Sequence, residues 1–355
     1  MTYASKLNRK KIVITGATGF IGQQLVTALV KADAEVTAIL RSSHGKKHLQ
    51  ENGVSVVVYG LDNREKLQET LKNCDILFNF AYDVRASGDQ NLKNFETLLS
   101  AAKTTNVRRI VHASSIVVYD DWPNAEINEN SSITKVSDGS YRSAKIDMED
   151  QLQSSGIPAA VLQPTIVYGP KSALWTGRIL KQLRSGPVVL PEESGICDAV
   201  YVDDVVQAAI RASVLEELDF ERFIISGPEP TTWHEFYQSH QSLVEDSQIL
   251  KEPESALQSR LGNFDESANQ KNGPSLAAKL SSGLRALLGR DNFEHLIASL
   301  SKFSTTGKPI YPERSQLRLM TANGSCSIEK AKRELGYEPQ IDLQTGIIKM
   351  ADTFI

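Results

Sequence analysis

The run Lys11-Ile-Val-Ile-Thr-Gly-Ala-Thr-Gly-Phe-Ile-Gly22 begins with an apolar stretch and ends on glycines spaced three apart. Ile12, Val13 and Ile14 read as a short buried strand, and Leu25, Val26, Leu29 and Val30 then recur at helical period. Each glycine between them has a separate task. Gly16 lets the chain leave the strand in a tight turn, Gly19 lets backbone approach a pyrophosphate, and Gly22 lets the helix pack close to the strand. A phosphate would then rest on the helix N-terminus, where free N–H groups and the dipole favour negative charge. Thr18, Phe20 and Ile21 belong to the same cradle. Glycines also punctuate ordinary turns. This set lies between a strand and a helix, the setting that dinucleotide binding requires.

Further along, strands are expected over 35–40, 54–59, 76–80, 109–112 and 159–163. Helices are expected over 64–71 and 90–104 and from near Ser140. That alternation implies an α/β fold, a Rossmann-type doubly wound parallel sheet covered on both faces. From about Thr165 the rhythm loosens into helices over 176–184, 205–216 and 233–244, joined by short strands over 199–202 and 223–225. Residues 246–274 are polar and read as a loop or poorly ordered segment. Leu276, Leu280, Leu284, Leu287 and Leu288 then fall at helical spacing within 275–303. The expected division is a dinucleotide-binding domain over 1–170, its sheet completed by parts of 198–228. A mainly substrate-binding region follows over 171–355, with a helical insertion at about 246–320.

Composition narrows the function classes. A formal net charge of −4 gives no basic surplus, so nucleic acid is not an expected partner. The chain has no run of about 18 apolar residues that could span a membrane. The polar start, Met1 to Arg9, lacks the apolar centre of a signal peptide, so the expected location is cytoplasmic. Cys74, Cys197 and Cys326 lie far apart and in no metal-ligand spacing; they read as reduced thiols, and no metal is expected.

The chemistry centres on Ser115, Tyr141 and Lys145. Tyr141-Arg-Ser-Ala-Lys145 places a phenol and an ammonium on one helix face, one turn apart. A nearby ammonium favours the phenolate, which brings a tyrosine toward acid/base use near neutral pH. Ser115 follows the fifth strand, at the carboxyl edge where such sheets bind ligands. The spacing alone describes any exposed helix pair. A glycine turn upstream and a serine at a strand end make it a catalytic candidate.

Together these residues resemble the extended short-chain dehydrogenase/reductases, the NAD-dependent epimerase/dehydratase family. The resemblance runs from Lys11 to about Ile225 and resumes over 327–339. The family's Thr-Gly-x-x-Gly-x-x-Gly is here Thr15 to Gly22, and its active-site Asn on the fourth helix looks like Asn91. Its Arg-Pro-x-x-x-Tyr-Gly-Pro appears as Gln163 to Pro170, and its His-Val-Asp-Asp as Tyr201 to Asp204. The resemblance implies that Tyr141 is the acid/base, that Lys145 holds the nicotinamide ribose, and that Ser115 bonds the reacting oxygen. It places Pro164 and Val167 along the nicotinamide, Asp62 at the adenine, and Ala81 in the cofactor site. It also implies a smaller C-terminal substrate domain closing over the cleft. Gln163 and Tyr201 replace the usual Arg and His, so those two contacts do not carry over.

In NAD-binding units an acid about 20 residues past the glycines binds the ribose hydroxyls. Here that position is Arg41, followed by Ser42 and Ser43, which suits a 2′-phosphate. NADP is therefore expected ahead of NAD, though a solvated arginine at a strand end would look the same. Family members that dehydrate sugars carry Asp-Glu where this chain has Ile116 and Val117, so dehydration is not expected. Ketone reduction, alcohol oxidation and epimerisation stay open, with a nucleotide-linked sugar as the leading substrate and a lipid, sterol or other carbonyl compound as the alternative. A non-catalytic NADP sensor is the reading from another class, disfavoured because a sensor needs no Ser-Tyr-Lys set. Arg178 reads as a surface arginine that could meet a substrate phosphate, and His112 as a packed core histidine. Lys279, Arg285 and Arg290 stand opposite the leucine stripe, which suits a core or interface helix, a lid or a membrane-surface helix. The partner expected is a small-molecule substrate, with a homodimer as the assembly to test for.

Overall fold

The computed structural model describes residues 3–268 and 307–354. In chain order the strands are Lys11–Thr15 (β1), Glu35–Leu40 (β2), Ser55–Val58 (β3), Ile76–Asn79 (β4), Ile110–Ala113 (β5), Ala159–Pro164 (β6), Ile166–Tyr168 (β7), Val188–Pro191 (β8), Ala199–Tyr201 (β9), Phe220–Ile225 (β10) and Ile249–Glu252 (β11). Between them run Phe20–Lys31 (α1), Lys46–Glu51 (α2), Arg64–Thr70 (α3), Gly88–Thr104 (α4), Tyr141–Gln153 (α5), Arg178–Ser185 (α6), Val202–Ser213 (α7), Trp233–Gln241 (α8) and Glu254–Ala268 (α9).

Seven strands form one parallel sheet in the order β10-β6-β5-β4-β1-β2-β3. β1 is buried from Ile12 onward and β6 along its whole length, because helices cover both faces and leave no side that favours polar residues. On one face Leu67 and Leu71, Phe95 and Leu98 of α4, and Met148 and Leu152 of α5 pack against Val13, Ile39, Leu77, Ile110 and Val161. On the other, α1 and α7 lie together and bury Leu25, Leu29, Val205 and Ala209. The chain winds outward from β1 through β2 to β3, then returns to β4 beside β1 and winds the opposite way. That reversal opens a crevice past the carboxyl ends of β1 and β4, where open α/β sheets bind ligands. The doubly wound expectation holds.

The chain divides into two compact units. One comprises Met1–Ser172, Asp198–Pro230 and Gly324–Ile355, the other Ala173–Cys197 and Thr231–Asn323. The first contains the large sheet and a small β7–β9 ladder. In the second, β8 pairs with β11, and Val189 packs with Leu257 and Leu317.

Within 246–274, the polar composition misleads over 249–268, inside the described part. Ile249–Glu252 is a strand level with Val188–Pro191, and Glu254–Ala268 is a helix anchored by buried Leu257. A ladder partner distant in sequence satisfies this backbone, which local composition does not register. The leucine stripe of 275–303 and its basic residues lie outside the described residues. None of Cys74, Cys197 and Cys326 forms a disulfide. Among the described residues no helix is long and apolar enough to cross a membrane, and no three metal-ligating side chains gather.

Candidate active site

The glycine turn is built as the spacing requires. Gly16 adopts φ 78°, and a Cβ there would lie 2.5 Å from the Phe80 carbonyl oxygen. A Cβ on Gly22 would lie 2.0 Å from the Gly16 carbonyl oxygen, so neither position accepts a side chain without moving backbone. Gly19 is the N-cap of α1 and supplies no side-chain cap, so the first N–H groups of the helix, from Phe20, Ile21 and Gly22, are not met by one. Behind the turn Thr15 Oγ1 donates to Asn79 at 2.7 Å and accepts from the Ala81 N–H at 3.3 Å. Asn79 in turn meets His112 Nδ1 at 3.0 Å. This buried chain ties the ends of β1, β4 and β5 together, and burial holds the His112 imidazole well below its usual range, with Lys145 adding to the effect. His112 is a packed core histidine, as its place in a strand implies.

Ser140 caps α5 by accepting the Ser143 N–H at 3.1 Å, which starts the helix on Tyr141 and puts Lys145 one turn later. Ser115 follows β5 and accepts the Val117 N–H at 3.4 Å. The Lys145 ammonium donates to the Ala113 carbonyl at 2.5 Å and lies 5.7 Å from the centre of the Tyr141 ring. It also lies 5.0 Å from the Tyr82 ring, which meets Tyr141 edge-on at 4.8 Å. Ser115, Tyr141 and Lys145 therefore converge past the end of β5.

The electrostatics correct one expectation. Withdrawal from water pushes the Tyr141 hydroxyl up to about 12; a hydrogen bond with Ser115 pulls the other way, and Tyr82 adds to the rise. With 41% of Tyr141 still exposed, solvent tempers that rise, and the hydroxyl is protonated at neutral pH in either case. The rise from burial prevails although the Lys145 ammonium, bonded to the Ala113 carbonyl, lies on the same helix face. Burial lowers its ammonium to about 8, and Glu149 works against that.

Glu149 lies one further turn along α5 and is fully buried. It accepts from Ser114, from Gln163 Nε2 at 3.1 Å and from Arg222 Nε at 2.6 Å, while Tyr119 donates to Gln163 Oε1 at 2.7 Å. This explains the departure at Gln163. An amide takes the place on β6, and a guanidinium reaches the same carboxylate from the adjacent strand β10. Tyr201 packs edge-on against Tyr168 at 5.3 Å. Asp204 accepts the Gln340 and Ile341 N–H groups at 2.9 and 3.1 Å, so this motif braces the C-terminal segment.

The remaining sequence candidates separate into two groups. Asp62 lies in the turn after β3, Pro164 ends β6, and Val167 lies in β7 level with Val200. Asn91, by contrast, spends its amide on its own surroundings. It accepts the Asp83 N–H at 2.8 Å and donates to the Asp83 and Ser87 carbonyls at 3.0 Å each. Arg41 is ion-paired with Asp83, which also holds Arg85 Nε at 3.1 Å; Ser42, next to Arg41, is exposed. In the second unit Arg178 lies 3.4 Å from Glu313. Tyr82, Asp83, Glu149 and Arg222 went unnoticed in the sequence. Glu149 alone carried a signal, its four-residue spacing from Lys145.

A family model for the NAD dependent epimerase/dehydratase family matches residues 12–222, more than half of the chain. The chain belongs to this family. Among curated relatives, a 4-hydroxy-2-methyl-3-oxo-4-farnesyl-3,4-dihydroquinoline-1-oxide ketoreductase from Stigmatella aurantiaca is 28% identical over 48% of this chain and 54% of its own. A 2-alkyl-3-oxoalkanoate reductase from Shewanella oneidensis is 26% identical over 62% of each. The chain thus spans about half to three fifths of those two relatives. A 3beta-hydroxysteroid-dehydrogenase/decarboxylase from Arabidopsis thaliana is 24% identical over 96% of this chain and 79% of its own. A solved UDP-glucose 4-epimerase from Thermotoga maritima superposes with a TM-score of 0.68 at 20% identity, covering 97% of this chain and 98% of that one. That likeness shows the shared fold. The glycine turn, where a Cβ at Gly16 or Gly22 would strike neighbouring backbone, has the close packing that the family's dinucleotide site requires.

Proposed function

We propose that this chain is an NAD(P)-dependent oxidoreductase that moves a hydride between nicotinamide and a carbinol or ketone carbon. The observation that carries the reading is the convergence of Ser115, Tyr141 and Lys145 past β5, in the same unit as the glycine turn. The nicotinamide, when bound, supplies or takes the hydride. Gly16, Thr18, Gly19, Phe20, Ile21 and Gly22 receive the pyrophosphate, with Ala81 behind the turn, Asp62 at the adenine, and Pro164 and Val167 beside the nicotinamide. Lys145 holds the ribose, Ser115 holds the substrate oxygen, and Asn91 keeps the Asp83 loop in register. In reduction, the Tyr141 hydroxyl gives its proton to the oxygen of the carbonyl as the hydride reaches its carbon. A phenol kept protonated at neutral pH suits that direction. Arg41 and Ser42, in place of a ribose-binding acid, support NADP(H) over NAD(H).

An apolar ketone is the favoured substrate. The relatives named above act on alkyl, farnesyl or steroid compounds by their names. The second unit has a small cavity of about 30 Å³ lined mainly by apolar side chains such as Leu174, Trp175, Trp233 and Met320, with Tyr237, Gln316 and the Glu313-paired Arg178 as its polar members. A nucleotide-linked sugar epimerase is the second reading, favoured by solved epimerases of the same fold. One preparation separates the two. NADPH oxidation driven by a β-keto acid or a 3-ketosteroid, lost in Tyr141→Phe while NADPH still binds, supports the reductase. Stoichiometric NAD released on denaturation, with interconversion of UDP-hexoses, would replace it with the epimerase.

A further inference from the structure

Arg41 and Asp83 reach one another from the two strands that flank β1. Arg41 follows β2 and Asp83 lies four residues past β4, and both strands pair with β1, which ends at the glycine turn. The Gly16 turn also packs against Phe80 and Ala81, just before Asp83. The Asp83 carboxylate accepts from Arg41 Nη1, from Arg85 Nε at 3.1 Å and from the Arg85 N–H at 3.2 Å. It does not wander. Its backbone N–H and carbonyl are both held by the buried Asn91 amide, at 2.8 and 3.0 Å. The side chain is 27% exposed, whereas Arg41 and Arg85 are 56% and 58% exposed. A braced, part-buried carboxylate therefore holds two more exposed cations beyond the carboxyl ends of β2 and β4.

We propose that Asp83 is a specificity-determining counter-ion: it holds the Arg41 fork and yields it to the 2′-phosphate of NADP(H), whereas NAD(H) binds with the Arg41–Asp83 pair left intact. The inference rests on the reading of Arg41 as the 2′-phosphate residue and adds what that residue must give up. A guanidinium already paired with a carboxylate gains less from a phosphate than a free one, because one charge-assisted contact is exchanged for another. The carboxylate that remains nearby also repels the incoming phosphate. Asp83 thereby narrows the preference for NADP(H) that Arg41 alone would create, without itself touching the substrate.

The test titrates full-length protein with NADPH and NADH by calorimetry, in wild type, Asp83→Asn, Asp83→Ala, Arg41→Ala and the Arg41→Ala/Asp83→Asn double variant. Asp83→Asn keeps the shape and the Asn91 contacts and removes only the charge. It should tighten NADPH by about tenfold and leave NADH within about twofold. The gain should vanish in the double variant, since it acts through Arg41. Asp83→Ala provides the same readout if the amide variant folds poorly. Unchanged or weaker NADPH binding in both single Asp83 variants overturns the proposal, as does an equal gain when Arg41 is absent. Failure of the underlying reading looks different. In that case Arg41→Ala alone leaves the ratio of NADPH to NADH affinity where it was.

Discussion

The two ends of the sheet's crevice handle charge in opposite ways. At the Tyr141 end, Lys145 is 3% exposed and bonded to the Ala113 carbonyl, and the carboxylate behind it, Glu149, is 1% exposed. At the Arg41 end the two guanidinium side chains are more than half exposed. Burial at the first end moves proton affinities by amounts large enough to set chemistry. Exposure at the second leaves only modest, screened energies. The groups proposed for catalysis and for cofactor selection therefore lie at different depths in the same unit.

The sharpest challenge to this contrast is Tyr141→Phe. It removes one proton and leaves the ring packed against Tyr82, so turnover should fall by about 10²–10⁴-fold. Binding of NADPH by calorimetry should be unchanged. Comparable turnover in the variant would mean that the buried end is not where the chemistry occurs.

Next in size is the buried brace. Glu149→Ala strands the Arg222 guanidinium and the Gln163 amide, a loss of about 3–5 kcal/mol for a broken buried pair. Urea denaturation measures it. A loss below about 1 kcal/mol would place Glu149 with the exposed pairs.

Lys145 gives a pH test with a definite sign. Its folded value of about 8 lies below its ordinary 10.5, so the unfolded chain binds the proton more tightly. The resulting cost to stability is fully present below pH 8 and fades as pH rises through 10.5, on the order of 3 kcal/mol in all. Urea midpoints of wild type relative to Lys145→Met should therefore rise across that window. A flat difference from pH 7 to 10.5 would show that the lysine is not held in a low-dielectric site.

The smallest effect belongs to the exposed end. Arg41→Ala should weaken NADPH by roughly ten- to a hundredfold, the equivalent of about 1.5–3 kcal/mol, and leave NADH nearly unchanged. Competitive titration of both cofactors on one preparation reads it. Equal losses for the two would make Arg41 a general contributor to the crevice.

Much of this contrast was visible in one dimension. Ile12 to Gly22 predicts strand, turn and helix because a buried parallel strand is apolar on both faces and the turn admits no Cβ at Gly16 or Gly22. Tyr141 and Lys145 were readable because helical period alone puts them on one face. These are local constraints, and local constraints leave a local pattern.

What the chain could not announce is what distant residues do to one another. The direction of the Tyr141 hydroxyl depends on withdrawal from water by residues far away in sequence, and burial outweighs an ammonium that spacing alone had put in charge. The strand over Ile249–Glu252 exists because β8 pairs with it, although its own neighbourhood is polar. Arg222 meets Glu149 across 73 positions, and Arg41 meets Asp83 across 42, with no period linking either pair. Sequence determined the fold class and the candidate reactive side chains, because backbone sterics and periodicity act over a few residues. Tertiary structure decided their protonation, their counter-ions and their depth, because electrostatic energy depends on distance through space and on the solvent that packing excludes.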